Sequence, residues 1–335
     1  MRNKFFQIAL ATAVLIVFSA RIAAAKENAP SRLGPDHVAP VTALEEALTL
    51  LPKTQSLVSD SELEIFKKVA AGDYKNIKEI DAILTAASVT DEPSRKRYTT
   101  KLKNLTESCR KIIAGAKTPD ERAEKLVRFL FQAPLYGGFE DGQVDMRKLL
   151  DKGKFNCVSS CILFNLVGTR LGLKTRAVTI PNHVFLRMGD LYIEPVAGYT
   201  SAAEGHDKNV VDKGWAEAAD VWKTVFGNLR TYESGNMGLI GEIYLDQSGK
   251  AVGQKHFEEA SITALKAACL DPKHPAFAYQ TEQTIRNWFI ETLKQRKLDK
   301  AQKIAAIYGQ LFGDSANKMF QDVANARNSR LVAKN

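Results

Sequence analysis

KGKFNCVSSCILFNLV, residues 152–167, is the stretch on which the reading of this chain turns. From Cys157 onward it carries almost nothing polar, and Val158, Cys161, Ile162, Leu163, Leu166 and Val167 leave no stripe for solvent. A run apolar on every side predicts a buried helix, here over residues 157–171. Asn156 is a favoured N-cap residue, and Gly153 lets the chain enter sharply. A cysteine at such a start sits among unpaired amide N–H groups at the positive end of the helix dipole, which stabilises a thiolate. Cys161, one turn further in, has no such advantage and reads as core.

After Gly172 the pattern changes period. Residues 177–180, 183–188 and 191–196 read as strands, and a helix followed by strands makes an α+β unit. The chain has five histidines. His37 lies in a polar stretch, His206 in a loop of mixed charge, and His256 and His274 in a helical third. His183 alone opens a strand next to the cysteine helix. Gly189-Asp190 reads as a two-residue hairpin turn, so Met188 faces Leu191, Leu186 faces Ile193 and Phe185 faces Glu194. Val184, Leu186, Met188, Leu191 and Ile193 then share a core face, and His183, Phe185, Arg187, Tyr192 and Glu194 share the other. In that register Glu194 is a diagonal neighbour of His183. It can accept the imidazole N–H and stabilise the imidazolium that forms when the thiol proton is taken. Asp190 is the rival acid, but it lies in the turn, too far along the strand.

Three segments in this order, KGKFNCVSS (152–160), LGLKTRAV (171–178) and PNHVFLR (181–187) followed by Ile193-Glu194-Pro195, resemble the core of the bacterial transglutaminase-like superfamily. The resemblance covers about residues 118–200. It implies an α+β, papain-like fold in which the buried cysteine helix packs on a small antiparallel sheet. It also implies a triad of Cys157, His183 and Glu194 that transfers an acyl group from an amide through a thioester, to water or to an amine, without cofactor. The oxyanion hole of such sites uses the nucleophile's own amide and an upstream donor, for which Tyr136 is the candidate. Two departures stand out: glutamate replaces the more usual aspartate, and Phe155 replaces a commoner small residue. Some members of the superfamily have lost activity and serve as binding domains. A noncatalytic scaffold that binds a protein partner is therefore the alternative to an enzyme acting on a protein or peptide.

The flanks are read from their own patterns. Arg2 and Lys4, an apolar run from Phe5 to Phe18, and Ala23-Ala24-Ala25 predict a signal peptide over residues 1–25 and export to the periplasm or medium. Its removal lowers the formal charge from +9 to +6, a mildly basic surface. The lysines are dispersed, and no phosphate-binding loop or dinucleotide fingerprint occurs, so nucleic acid and nucleotides are not expected partners. The mature chain offers no membrane span. Residues 26–117 read as helical, with Leu44, Leu48, Leu51, Ile65 and Val69 at helical spacing. Thr118-Pro119-Asp120-Glu121 marks a helix start, and the core runs over residues 118–205. Its first helix has Ala123, Leu126, Val127, Leu130 and Phe131 on one face, and a glycine-rich aromatic loop follows at 134–142.

Residues 206–335 read as helical hairpins. Ile240-Gly241 with Tyr244 matches the first helix of a tetratricopeptide repeat, and Ala260, Ala267 and Pro272 match the second half, given a turn around 248–253. A weaker second copy has its turn at 297–300. These helices are the expected docking region for a protein partner. A zinc site from Cys157, Cys161 and His183 lacks a fourth ligand and the usual paired spacings, so no metal is expected. Cys109 and Cys269 could form a disulfide only if the fold brings them together.

Overall fold

The computed structural model describes residues 33, 39–52, 57–180, 183–200 and 231–332. The leader, His37, Pro181, Asn182 and the mixed-charge loop expected at His206 lie outside the described residues. Among the described residues, four α-helices precede the core: α1 (Ala39–Leu48), α2 (Asp60–Ala70), α3 (Glu79–Ala86) and α4 (Glu92–Ile113). α5 (Pro119–Gln132) starts as its sequence predicts, with the Thr118 hydroxyl accepting from the Glu121 amide. Ala123, Leu126, Val127 and Leu130 are buried on its inner face. Phe131 is 37% exposed instead, because it sits at the edge of that face, edge-on to Phe155.

The aromatic loop is less irregular than its glycines suggest. β1 (Gly138–Phe139) pairs in parallel with β2 (Lys154–Phe155), and α6 (Met146–Lys152) lies between them in sequence. α7 (Cys157–Arg170) follows at once, and every residue from 158 to 168 is buried. Large side chains such as Ile162, Leu163, Phe164 and Leu166 each contribute about 1.5–3 kcal/mol by leaving water, which is why this helix can afford no polar face. Its buried polar groups are paired: Ser159 Oγ donates to the Gln143 carbonyl and Asn165 Nδ2 to Asn236 Oδ1.

α7 packs against the main sheet, which is antiparallel throughout. Its strands are β3 (Arg176–Ile180), β4 (His183–Met188), β5 (Leu191–Glu194), β6 (Tyr199–Thr200) and β7 (Tyr232–Ser234), in the order β6-β5-β4-β3-β7. The β4–β5 register pairs Met188 with Leu191 and Leu186 with Ile193, as the Gly189-Asp190 turn requires. β5 ends at Glu194 and not at Val196, because the chain turns there, with the Gly198 amide donating back to the Glu194 carbonyl. β7 falls in the stretch read from the sequence as purely helical, yet it pairs along β3.

Helical hairpins do follow: α8 (Asn236–Gly253), α9 (Phe257–Leu270), α10 (Pro275–Lys294), α11 (Leu298–Phe312) and α12 (Asn317–Val332). The turn expected at 248–253 is helix instead. Ser248 Oγ donates to the Ala260 carbonyl on α9 and accepts from Gln280 Nε2 on α10, so a residue typical of turns serves as an interhelical link. The chain turns after Gly253, where Lys255 has φ +60°. The second expected turn likewise moves back to the three residues before Leu298. Gly241 is needed for packing: a Cβ there would lie 2.5 Å from the Phe277 ring. No helix among the described residues is long and apolar enough to cross a membrane, and the four cysteines are unbridged.

A buried ion pair joins the two helical flanks. Lys266 Nζ lies 2.8 Å from Glu62 Oε1, both side chains being 9% exposed, and the Tyr244 hydroxyl donates to the same oxygen. Glu62 also closes the capping box of α2 through Ser59. Removing one partner strands the other in a low-dielectric interior. Glu62→Ala and Lys266→Met are each therefore expected to lower unfolding free energy by about 3–5 kcal/mol, measured by chemical denaturation, with the double replacement Glu62→Leu/Lys266→Met costing clearly less than their sum.

Candidate active site

The helix start that carries Cys157 is built from three sides. Gly153 ends α6 in the left-handed region at φ +64°, and a Cβ there would lie 2.7 Å from the Gly137 nitrogen and 2.8 Å from the Pro134 carbonyl oxygen. Only glycine lets the aromatic loop lie this close. Asn156 is extended and caps α7: its Oδ1 accepts from the Ser159 amide at 2.9 Å, and the Asn156 amide donates to Ser159 Oγ at 3.0 Å. Cys157 is thus the first helical residue, partly exposed, and its amide belongs to the first turn, whose N–H groups have no intrahelical acceptor.

Cys161 is fully buried, as expected, and its Sγ donates to the Val184 carbonyl at 3.4 Å. Burial first, and then the nearby Glu194, Cys157 and Glu242, push its thiol well above the usual range. Of the two cysteines on this helix, only Cys157 reaches solvent.

His183 opens β4 as predicted, and its Nε2 lies 2.7 Å from Glu194 Oε2. The Cys157 side chain lies near enough to this ring to interact with it. With Nε2 engaged by the carboxylate, Nδ1 is the nitrogen left for the thiol. Burial works against a charge on the ring, but the Glu194 carboxylate and the Cys157 side chain outweigh it and hold the imidazole well above its ordinary value. Glu194 is buried, and its other oxygen has no hydrogen-bond partner among the described residues, so its stabilisation rests on His183. Asp190 lies exposed in the turn.

Tyr136 lies in the aromatic loop against Gly153. It is 70% exposed, and its hydroxyl makes a long 3.5 Å contact to the Asp151 carbonyl. His274, read from the sequence only as a member of the helical third, is fully buried, 3.3 Å from Glu242 Oε1 and 3.3 Å from Thr179 Oγ1. Asp246 on α8 was not singled out at all. Its Oδ2 accepts from Asn156 Nδ2 at 3.0 Å, across ninety residues of sequence. No local pattern distinguishes it, since an acid at that spacing looks like any solvated position on a helix.

A solvent-reaching cysteine at a capped helix start thus lies near an imidazole that a buried carboxylate contacts, on an α+β core. Sequence comparison agrees in class: the profile of the Transglutaminase-like superfamily matches residues 96–221, a span that holds all three groups. No curated protein and no solved structure matches the chain.

The held-up His183 value has a definite sign. A folded value above the unfolded ~6.5 stabilises the fold fully below about pH 6.5, and that contribution is lost as pH rises through the folded value. Imidazole NMR resonances of His183 should therefore remain in the protonated position through neutral pH. In Glu194→Gln they should titrate closer to the ordinary range. An unchanged titration in that variant would remove Glu194 from the account.

Proposed function

We propose that this protein is an exported cysteine acyl-transfer enzyme of papain-like architecture, acting on an amide in a protein or peptide with Cys157 as nucleophile, His183 as acid and base, and Glu194 as the group that orients and charges His183. The observation that carries this reading is the buried Glu194 carboxylate on the His183 ring, 2.7 Å from Nε2, with a helix-start thiol close to the same ring. Each contact alone is commonplace, but a buried glutamate spent on a histidine that also holds a partly exposed cysteine has no evident packing purpose.

The chemistry follows from the contacts. The Cys157 proton is already held on His183 in the resting site, and the sulfur attacks the amide carbonyl carbon. The oxyanion is received by the Cys157 amide, with Tyr136 as the second donor once its hydroxyl leaves the long contact to Asp151. Collapse breaks the C–N bond, His183 gives its proton to the leaving amine, and a thioester remains. Water or an amine then attacks, passes its proton to His183, and the sulfur leaves. Glu194 orients the ring and stabilises the imidazolium. Export rests on the basic, apolar and small-residue order of residues 1–25.

The second reading is a noncatalytic scaffold, in which the tetratricopeptide-like hairpins α8 to α11 dock a protein partner. The departures at Glu194 and Phe155 from the commoner residues favour it. The two readings separate on a casein and peptide library assayed for hydrolysis and for amine incorporation. Cys157→Ala should lose turnover by at least ~100-fold, whereas Cys161→Ala should keep it. Equal turnover by wild type and Cys157→Ala would leave the scaffold standing.

The thiol alone gives a substrate-free check. Cys157 should react with iodoacetamide at neutral pH roughly tenfold faster than an ordinary exposed thiol, and His183→Ala should abolish the difference.

A further inference from the structure

The cap on the nucleophile helix is itself held from outside the core. Asn156 is 3% exposed, and both ends of its side chain are engaged: Oδ1 accepts from the Ser159 amide at 2.9 Å, while Nδ2 donates to Asp246 Oδ2 at 3.0 Å. Ser159 Oγ in turn donates to the Gln143 carbonyl at 2.9 Å. An amide side chain can cap only if it is turned the right way, with oxygen toward the helix. The Asp246 carboxylate enforces that orientation, because a flipped Asn156 would set two oxygens against each other. An acceptor on Nδ2 also polarises the amide and strengthens Oδ1 as the cap.

We infer that Asp246 is a positioning residue for Cys157: by fixing the orientation of Asn156 it sets the helix start from which the thiol reaches His183, and the C-terminal helices thereby complete the site. The matched span of the family ends at residue 221, and α8 begins at Asn236, so this contact lies beyond it. α8 is well anchored for the task. It packs on α7 and β3; Glu242, one turn before Asp246, accepts from Thr179 Oγ1 at 2.9 Å, and Tyr244 reaches Glu62.

The charge on Asp246 comes at some cost. Burial first, then Glu242 on its own helix, push its carboxyl up to about 7. The Asn156 hydrogen bond works the other way, and Asp141 in the loop before α6 adds to the rise. A carboxyl oxygen can accept from Asn156 Nδ2 in either protonation state, but only the ionised carboxylate disfavours a flipped Asn156, so the orienting effect is fullest above about pH 7.

The inference rests on the reading of Cys157 as nucleophile, and its test is built so that the two can fail separately. Alkylation of Cys157 by iodoacetamide is followed at neutral pH in the full chain. Asp246→Ala removes the acceptor and should slow alkylation roughly fivefold, the worth of one helix cap. Asp246→Asn, whose carbonyl can still accept from Asn156, should return the rate to within about twofold of wild type. Asn156→Ala should show the same loss as Asp246→Ala, and the double variant should be no worse than either alone. A wild-type rate in Asp246→Ala, no rescue by asparagine, or additive losses in the double variant would each overturn the inference. Where Asp246→Ala does not fold, Asp246→Leu fills the space without an acceptor and takes its place in the cycle. A wild-type Cys157 that reacts like any exposed thiol would instead sink the acyl-transfer reading, while the ratios among variants still decide the role of Asp246.

Discussion

A helix with no polar face must begin at a polar point, and the contact of Asn156 with the first turn of α7 is where the molecule meets that constraint. Residues 158–168 are all buried, so the four unpaired amides at the start of α7 cannot simply be left to water. Asn156 and Ser159 satisfy part of that demand between them. What remains unpaired is the edge on which Cys157 sits. The same geometry that ends the burial of the helix leaves a partly positive spot at the sulfur, and the sheet then needs only to present an imidazole beside it.

The sheet does so through register. A two-residue turn at Gly189-Asp190 fixes which residues of β4 and β5 share a face, and one step of slippage would exchange the histidine face for the apolar one. Val184, Leu186 and Ile193 make that slippage costly, because each is buried. The core side of the hairpin therefore guarantees the chemistry of its other side, and the placement of Glu194 behind His183 is a by-product of hydrophobic packing.

These local features were legible in the amino-acid sequence because each depends on residues within a few positions of one another: the Asn156 cap, the apolar α7, the Gly189-Asp190 turn, and the start of α5 at Thr118. The failures are non-local. β7 is three residues long, and its pairing along β3 follows from tertiary position, not from composition. Ser248 resembles a turn residue until α9 and α10 are packed against it. Phe131 keeps helical spacing with buried neighbours, yet the face ends before it does. Asp246 and the Glu62–Lys266 pair carry no periodic signal at all, since a partner ninety or two hundred and four residues away leaves no mark on its surroundings.

The Glu62–Lys266 pair also bears on how the chain acquires its structure. A contact that spans 204 residues closes a very long loop, and the entropy of that closure must be met before the contact returns anything. Until α9 arrives, Glu62 has the Ser59 cap but no cation, and a buried anion without its cation is strongly disfavoured. α2, eleven residues long, is marginal as an isolated helix and gains its stability from this docking. Long-range contacts of this kind slow folding, because the loop between them must close before they return anything.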